Sequence, residues 1–195
     1  LLSFGALVGS LFIYGSSLAQ LSGAYTVNSA GGGDFTSLTA VVDTLNSKGV
    51  SGAVTINVVA SSGPYKGRLE FSEVIGTATN TIVFNGNGNR ITESSGSTVQ
   101  FDECEYVTLD NFIIEASGNG TQRRCVQIRG GSDHINITNN ELNMPNMTST
   151  SNSNMYLYIG NGTSSPYSYS SAGSNCLIQN NETNGPVNSG PYWEM

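Results

Sequence analysis

The sequence predicts an all-β chain wound into a parallel β-helix, a solenoid of stacked rungs with a capping helix at its N-terminal end. Three observations point there. Short alternating strands that end in Asn or Gly recur every few tens of residues, the signature of a coil whose rungs share one core. Only 11% of the 195 residues are charged, while Gly alone contributes 24 and Ser, Thr and Asn are abundant. Helical proteins need Glu, Lys, Arg and Ala on their outer faces, whereas many short strands joined by tight turns need this composition. One apolar stripe at helical spacing stands ahead of the first rung.

The rungs align by eye. "VTLDNFII" (107–114), "INITNNEL" (135–142) and "CLIQNNET" (176–183) each open with apolar residues two apart: Val107/Leu109, Ile135/Ile137 and Cys176/Ile178. An Asn follows at 111, 139 and 180, and Ile114, Leu142 or Thr183 closes each unit. The earlier "IVFNGNGNRI" (82–91) carries Ile82/Phe84, then Gly86 in place of the Asn. Upstream of each full unit lies another alternating strand, "VQF" (99–101), "VQI" (126–128) or "LYI" (157–159). Inward residues would stack on their counterparts about 4.8 Å away in the next rung. A corner Asn would bond to its own turn and to the Asn above it. Spacing alone leaves two ladder columns open, 111/139/180 and 112/140/181. Cys176 falls in the column of Val107 and Ile135, which predicts a core thiol.

The stretch "SAGGGDFTSLTAVVDTL" (29–45) supplies the cap. Leu38, Val41, Val42 and Leu45 make the stripe, Asp34 or Thr36 is the expected N-cap, and Gly49 the expected stop. A phosphate cradle would require a Walker-type Lys-Ser/Thr or a G-x-G-x-x-G in a βαβ unit, and neither is present.

Residues 1–19 differ in kind. They are apolar and uncharged, with Ser17 and Ala19 at the −3 and −1 positions of a cleavage before Gln20, which predicts a secretory signal peptide. The run also has the length of a membrane anchor, the one route to a membrane the sequence offers. The β-helix domain is then 20–195, incomplete at its C-terminus, because "GPVNSGPYWEM" (185–195) carries no cap. A net charge of −7, with no basic stripe, excludes nucleic acid as a partner. Three cysteines without C-x-x-C spacing make neither a disulfide scaffold nor a zinc site, although export would permit a Cys104–Cys125 bridge.

The Asn-marked rungs, the Gly-rich turn into "DFTSLTAVV" and the "PYKG" turn that follows resemble right-handed parallel β-helices of the pectin-lyase-like superfamily over roughly 25–184. That resemblance implies a secreted or cell-surface protein meeting polysaccharide on the exposed face of one parallel sheet. It transfers no catalytic residue. "LDNF", "SDHI" and "NGNGN" match none of the signatures of pectinesterases, polygalacturonases or pectate lyases.

Alternation on that sheet points Gln100, Gln127 and Tyr158 outward as one column, with Asp102 and Arg129 beginning the next. A carboxylate and a guanidinium flanked by amides and a phenol suit a sugar or a uronate; the plain alternative is a cross-rung pair on a solvated sheet. For a lyase, Arg129 would neutralise the uronate and Tyr158 or His134 would be the base. His134, beside Asp133, equally suits a solvated corner. Tyr156, Tyr158, Tyr167 and Tyr169 offer an aromatic platform. No cofactor is expected; calcium is conceivable, but nothing in the spacing indicates it.

Two functional classes follow. One is a polysaccharide-contacting module, non-catalytic or part of a lyase or hydrolase. The other is a structural or adhesive surface protein. The first requires charge gathered on one face over consecutive rungs, and the second requires outward columns of Thr, Asn and Ser.

Overall fold

A computed structural model describes residues 20–149, 154–160, 173–185 and 193–194. Strand β1 (Leu21–Val27) leads to helix α1 (Leu38–Lys48), then β2 (Val50–Val58), β3 (Tyr65–Lys66), β4 (Leu69–Ser72) and β5 (Ile82–Glu93). Next come β6 (Ser97–Asp102), β7 (Val107–Ala116), β8 (Arg124–Arg129), β9 (Asn136–Thr138) and β10 (Glu141–Asn143). Last are β11 (Met155–Ile159), β12 (Leu177–Gln179), β13 (Glu182–Asn184) and β14 (Trp193–Glu194). All strand pairs are parallel and form a solenoid of about five turns. A nine-stranded sheet contains β1, β2, β5, β7, β10 and β13 with β3, β9 and β12, and a five-stranded sheet runs β4, β6, β8, β11, β14.

Stacking of like on like makes the core. Val99, Val126 and Leu157 lie in one register column, and Phe71, Phe101, Ile128 and Ile159 in another. The Phe71 and Phe101 rings stack at 4.8 Å, and Phe84 meets Phe71 edge-on at 5.3 Å. Ile82/Phe84, Val107/Leu109 and Ile135/Ile137 fill the opposite wall, all wholly buried. Cys176 shares the column of Ile135 but stays half-buried in the outermost described rung. Cys104 and Cys125 are fully buried and free, so they form no bridge.

The corners show why Asn recurs. Asn111, Asn139 and Asn180 have φ of 55–57°, the left-handed conformation that Asn tolerates better than most residues. The column open from spacing thus resolves into two roles. Residues 111/139/180 turn the chain on the outside, and 140/181 bond on the inside. Asn140 Nδ2 donates to Leu109 O at 3.1 Å, its Oδ1 accepts from Phe112 N at 2.9 Å, and Asn181 Oδ1 accepts from Asn140 N at 3.0 Å. Phe112 interrupts this inner ladder, and its ring takes the space a side chain at Gly86 would need, which is why the earlier rung has Gly there.

Helix α1 caps the coil as expected, with Leu38, Val41, Val42 and Leu45 buried in the core cluster and Gly49 (φ 65°) closing it. The N-cap is Ser37, not Asp34 or Thr36: Ser37 Oγ accepts from Ala40 N at 3.1 Å. Asp34 is drawn away by β1, accepting from Thr26 N at 2.7 Å and Thr26 Oγ1 at 2.9 Å. Asn46 reaches from the helix to the free edge of β4, donating to Glu70 O at 2.8 Å and accepting from Ser72 N at 3.1 Å. The helix thereby satisfies an edge that would otherwise offer unpaired backbone. No helix among the described residues is long and apolar enough to cross a membrane. The leader at 1–19 and the loop tyrosines Tyr167 and Tyr169 lie outside the described residues.

Candidate functional site

The outer face of the five-stranded sheet carries the column expected from alternation. Gln100, Gln127 and Tyr158 are register partners, and Asp102 pairs with Arg129 in the next position. The column is covered rather than solvated: Gln100 is 5% exposed, Gln127 3% and Tyr158 not at all. Each amide is held. Gln100 Nε2 donates to Glu70 Oε1 at 3.2 Å, and Gln127 Oε1 accepts from Ser97 Oγ at 2.9 Å and Arg124 Nη1 at 3.0 Å.

Arg124 was not among the expected site residues. Counting back by twos from Ile128 and Val126 places residue 124 inside the coil. The alternation breaks at this point, because Cys125 and Val126 are both core residues, as are Tyr156 and Leu157 one rung on. Cys125 Sγ turns to Asn143 O at 3.4 Å, and Thr98 Oγ1, one rung back, to Glu115 O at 2.9 Å. Two successive inward residues send Arg124 outward, onto the side of Gln127 and Tyr158. Its guanidinium carbon sits 4.3 Å over the Tyr158 ring, a cation–π contact. Burial pulls the Arg124 pKa down, the Tyr158 contact opposes that, and the neighbouring Arg129 charge adds to it.

Arg68, in the turn before β4, completes the group. Its Nε donates to Ser97 O and its Nη2 to Ser95 O, both at 3.0 Å. A side chain at Gly96 (φ 62°) would collide with that guanidinium. Arg68, Gly96, Ser97, Gln100, Gln122, Arg124, Gln127 and Arg129 line a cleft of about 190 Å³. Three of the chain's seven Lys and Arg residues therefore meet at one cleft of an acidic protein.

Arg129 is already engaged, its Nε at 2.9 Å and Nη2 at 2.5 Å from Asp102 Oδ2. His134 belongs to another place, the corner after β8. It stacks on Tyr106 at 4.2 Å, and its Nδ1 is 2.8 Å from Asp133 Oδ2. Bonds from Ser174 and Asn175 hold the Asp133 carboxyl below its ordinary pKa. The structure thus brings Gln100, Gln127 and Arg129 to one cleft, with Asp102 on the Arg129 guanidinium and Tyr158 beneath Arg124. It leaves His134 outside. Beyond the sheet's far corner a recess of about 360 Å³ is lined by Glu73, Ile75, Glu103, Glu105, Gly130 and Gly131, opposite in charge. Among the described residues no group of three or more His, Cys, Asp or Glu side chains is placed to hold a metal ion.

Comparison with family models, with curated proteins and with solved structures returns no match for this chain.

Proposed function

We propose that the chain is a secreted or cell-surface β-helix module that binds polysaccharide along the outer face of β4, β6, β8 and β11. The observation that carries this reading is the cleft. Glu70, Asp102, Arg124 and Arg129, with Arg68 beside β4, gather charge over three consecutive rungs of one face. Planar amides and guanidiniums beside a shallow cleft suit the hydroxyls and substituents of a sugar chain.

Binding fits the geometry better than bond cleavage does. The Asp102 carboxylate is bonded by Arg129, Tyr158 is covered by Arg124, and His134 lies at a different corner. The lyase reading, with Arg129 neutralising a uronate and Tyr158 or His134 as base, has no described base at the cleft.

Affinity electrophoresis of the chain through gels containing uronate, sulfated or neutral polysaccharides tests the proposal. Retention should be reduced in a Gln100→Ala/Gln127→Ala variant of unchanged melting temperature. Equal mobility in every gel overturns it. Appearance of unsaturated sugar products, with loss on Arg129→Ala, would restore the lyase.

A further inference from the structure

We infer that this cleft takes an oxyanion, a carboxylate or sulfate ester carried as a glycan substituent, with Arg68 and Arg124 as its principal ligands. The inference rests on reading this face as the glycan-binding one, and it differs from the sequence expectation in which Arg129 neutralises the charge.

Arg129 is the cation least able to act, because its Nε and Nη2 both point at Asp102 Oδ2. Arg68 is different. Its hydrogen bonds go to backbone carbonyls through Nε and Nη2, which fix the group in place and leave the Nη1 donors over, although the Glu93 carboxylate lies near enough to feel its charge. A guanidinium so held is pre-organised for a planar or tetrahedral oxyanion. Across the cleft, Arg124 is almost wholly buried and lies close enough to Arg129 for the two like charges to repel. An oxyanion between Arg68 and Arg124 would meet both guanidiniums in a partly desolvated cleft, where the attraction is stronger than in open water. Ser97 and Gln127 fix the Arg124 approach, and the absence of a side chain at Gly96 leaves room for Arg68. In a chain of net charge −7, such a local cluster selects by site rather than by general attraction.

The deciding experiment is calorimetric titration of the whole chain with three oligosaccharides of matched length: an oligogalacturonate, a sulfated galactan and a neutral galactan. Each is run at low and at 0.5 M salt, a concentration chosen to screen exposed charge. An anionic oligosaccharide should bind, and binding should weaken with salt. Arg68→Gln should reduce affinity about tenfold, as expected for one charge-assisted pair. Arg68→Lys should recover part of it, and Lys48→Gln, on the helix, should change nothing. Which anionic sugar binds identifies the oxyanion. Arg124→Gln should act in the same direction, provided its melting temperature shows that it folds; Arg68→Gln decides where it does not. Equal binding of neutral and anionic sugars, unaffected by Arg68→Gln, overturns the oxyanion site while leaving polysaccharide binding intact. Binding of none of the three overturns both.

Discussion

The two broad outer faces of this coil rest on one core yet differ in what their side chains are free to do. On the nine-stranded sheet, β2, β5, β7, β9 and β12 present one outward column of Thr55, Val83, Thr108, Asn136 and Leu177. A second runs Asn57, Asn85, Asp110, Thr138 and Gln179. Several of the short polar members bond to a neighbour one rung away, while Val83 and Leu177 interrupt the first column. Asn85 Nδ2 donates to Asn57 Oδ1 at 2.9 Å, Asn136 Nδ2 to Thr108 Oγ1 at 3.2 Å, and Thr138 Oγ1 to Asp110 Oδ1 at 2.7 Å. On the five-stranded sheet the outward residues are Gln and Arg, long enough to bond laterally and still line a cleft. The rung spacing of about 4.8 Å is the same in both. Side-chain reach contributes to the difference: Asn85, Thr138 and Asn136 close on a neighbour one rung away, whereas Arg68, Gln100, Gln127 and Arg124 reach laterally and line a cleft. Under the proposed function the second face is the one that meets the glycan, and the first serves the coil.

Both faces depend most on the core they share. Phe101→Ala takes away the ring stacked on Phe71 and should cost about 3–5 kcal/mol, read as a lower denaturant midpoint, with both faces lost in one transition. Two separate transitions would mean that the faces do not depend on one core. Asn140→Ala comes next. It leaves Phe112 N–H and Leu109 C=O buried without their partner and should cost about 1–3 kcal/mol, with the α1 end of the coil affected least in hydrogen exchange. Thr138→Ala removes one zip on the closed face and should cost about 0.2–1 kcal/mol. Glycan retention should not change, and a loss of retention would assign ligand contacts to the wrong face.

The smallest effect is acid dependence at the corner between the faces. Ser174 and Asn175 hold Asp133 below its ordinary value of 3.8, so the folded state binds that proton less readily than the unfolded chain does. Stability from this group is present above pH about 4 and is lost as pH falls through the lowered folded value. Asp133→Asn should flatten that acid limb in a melting-temperature profile and leave the neutral range unchanged. An unchanged acid limb would mean that the corner bonds add nothing.

Much of this was legible along the chain, and the limits were local. The inward pairs Val107/Leu109 and Ile135/Ile137 needed only alternation and a repeat. The stripe of α1 needed only its spacing of three and four, but its cap did not follow, because Thr26 of β1 competes for Asp34 and leaves the role to Ser37. Gln100, Gln127 and Arg129 share a face because their period of two continues through their strands. Arg124 was hidden because that period breaks at Cys125, where the wall of the coil turns toward Asn143.

The sequence by itself determined that this chain coils, which residues face inward wherever the period of two is unbroken, and where the Asn corners fall. Those properties follow from period and from like stacking on like, and both are written along one dimension. Only the tertiary structure decided that Asn139 turns the corner while Asn140 bonds inside it, since one residue of register separates the two roles. It also decided that Arg68 meets Arg124 and Arg129. Residues from different rungs become neighbours only when the coil closes and rung pairing sets β4 beside β6 and β6 beside β8.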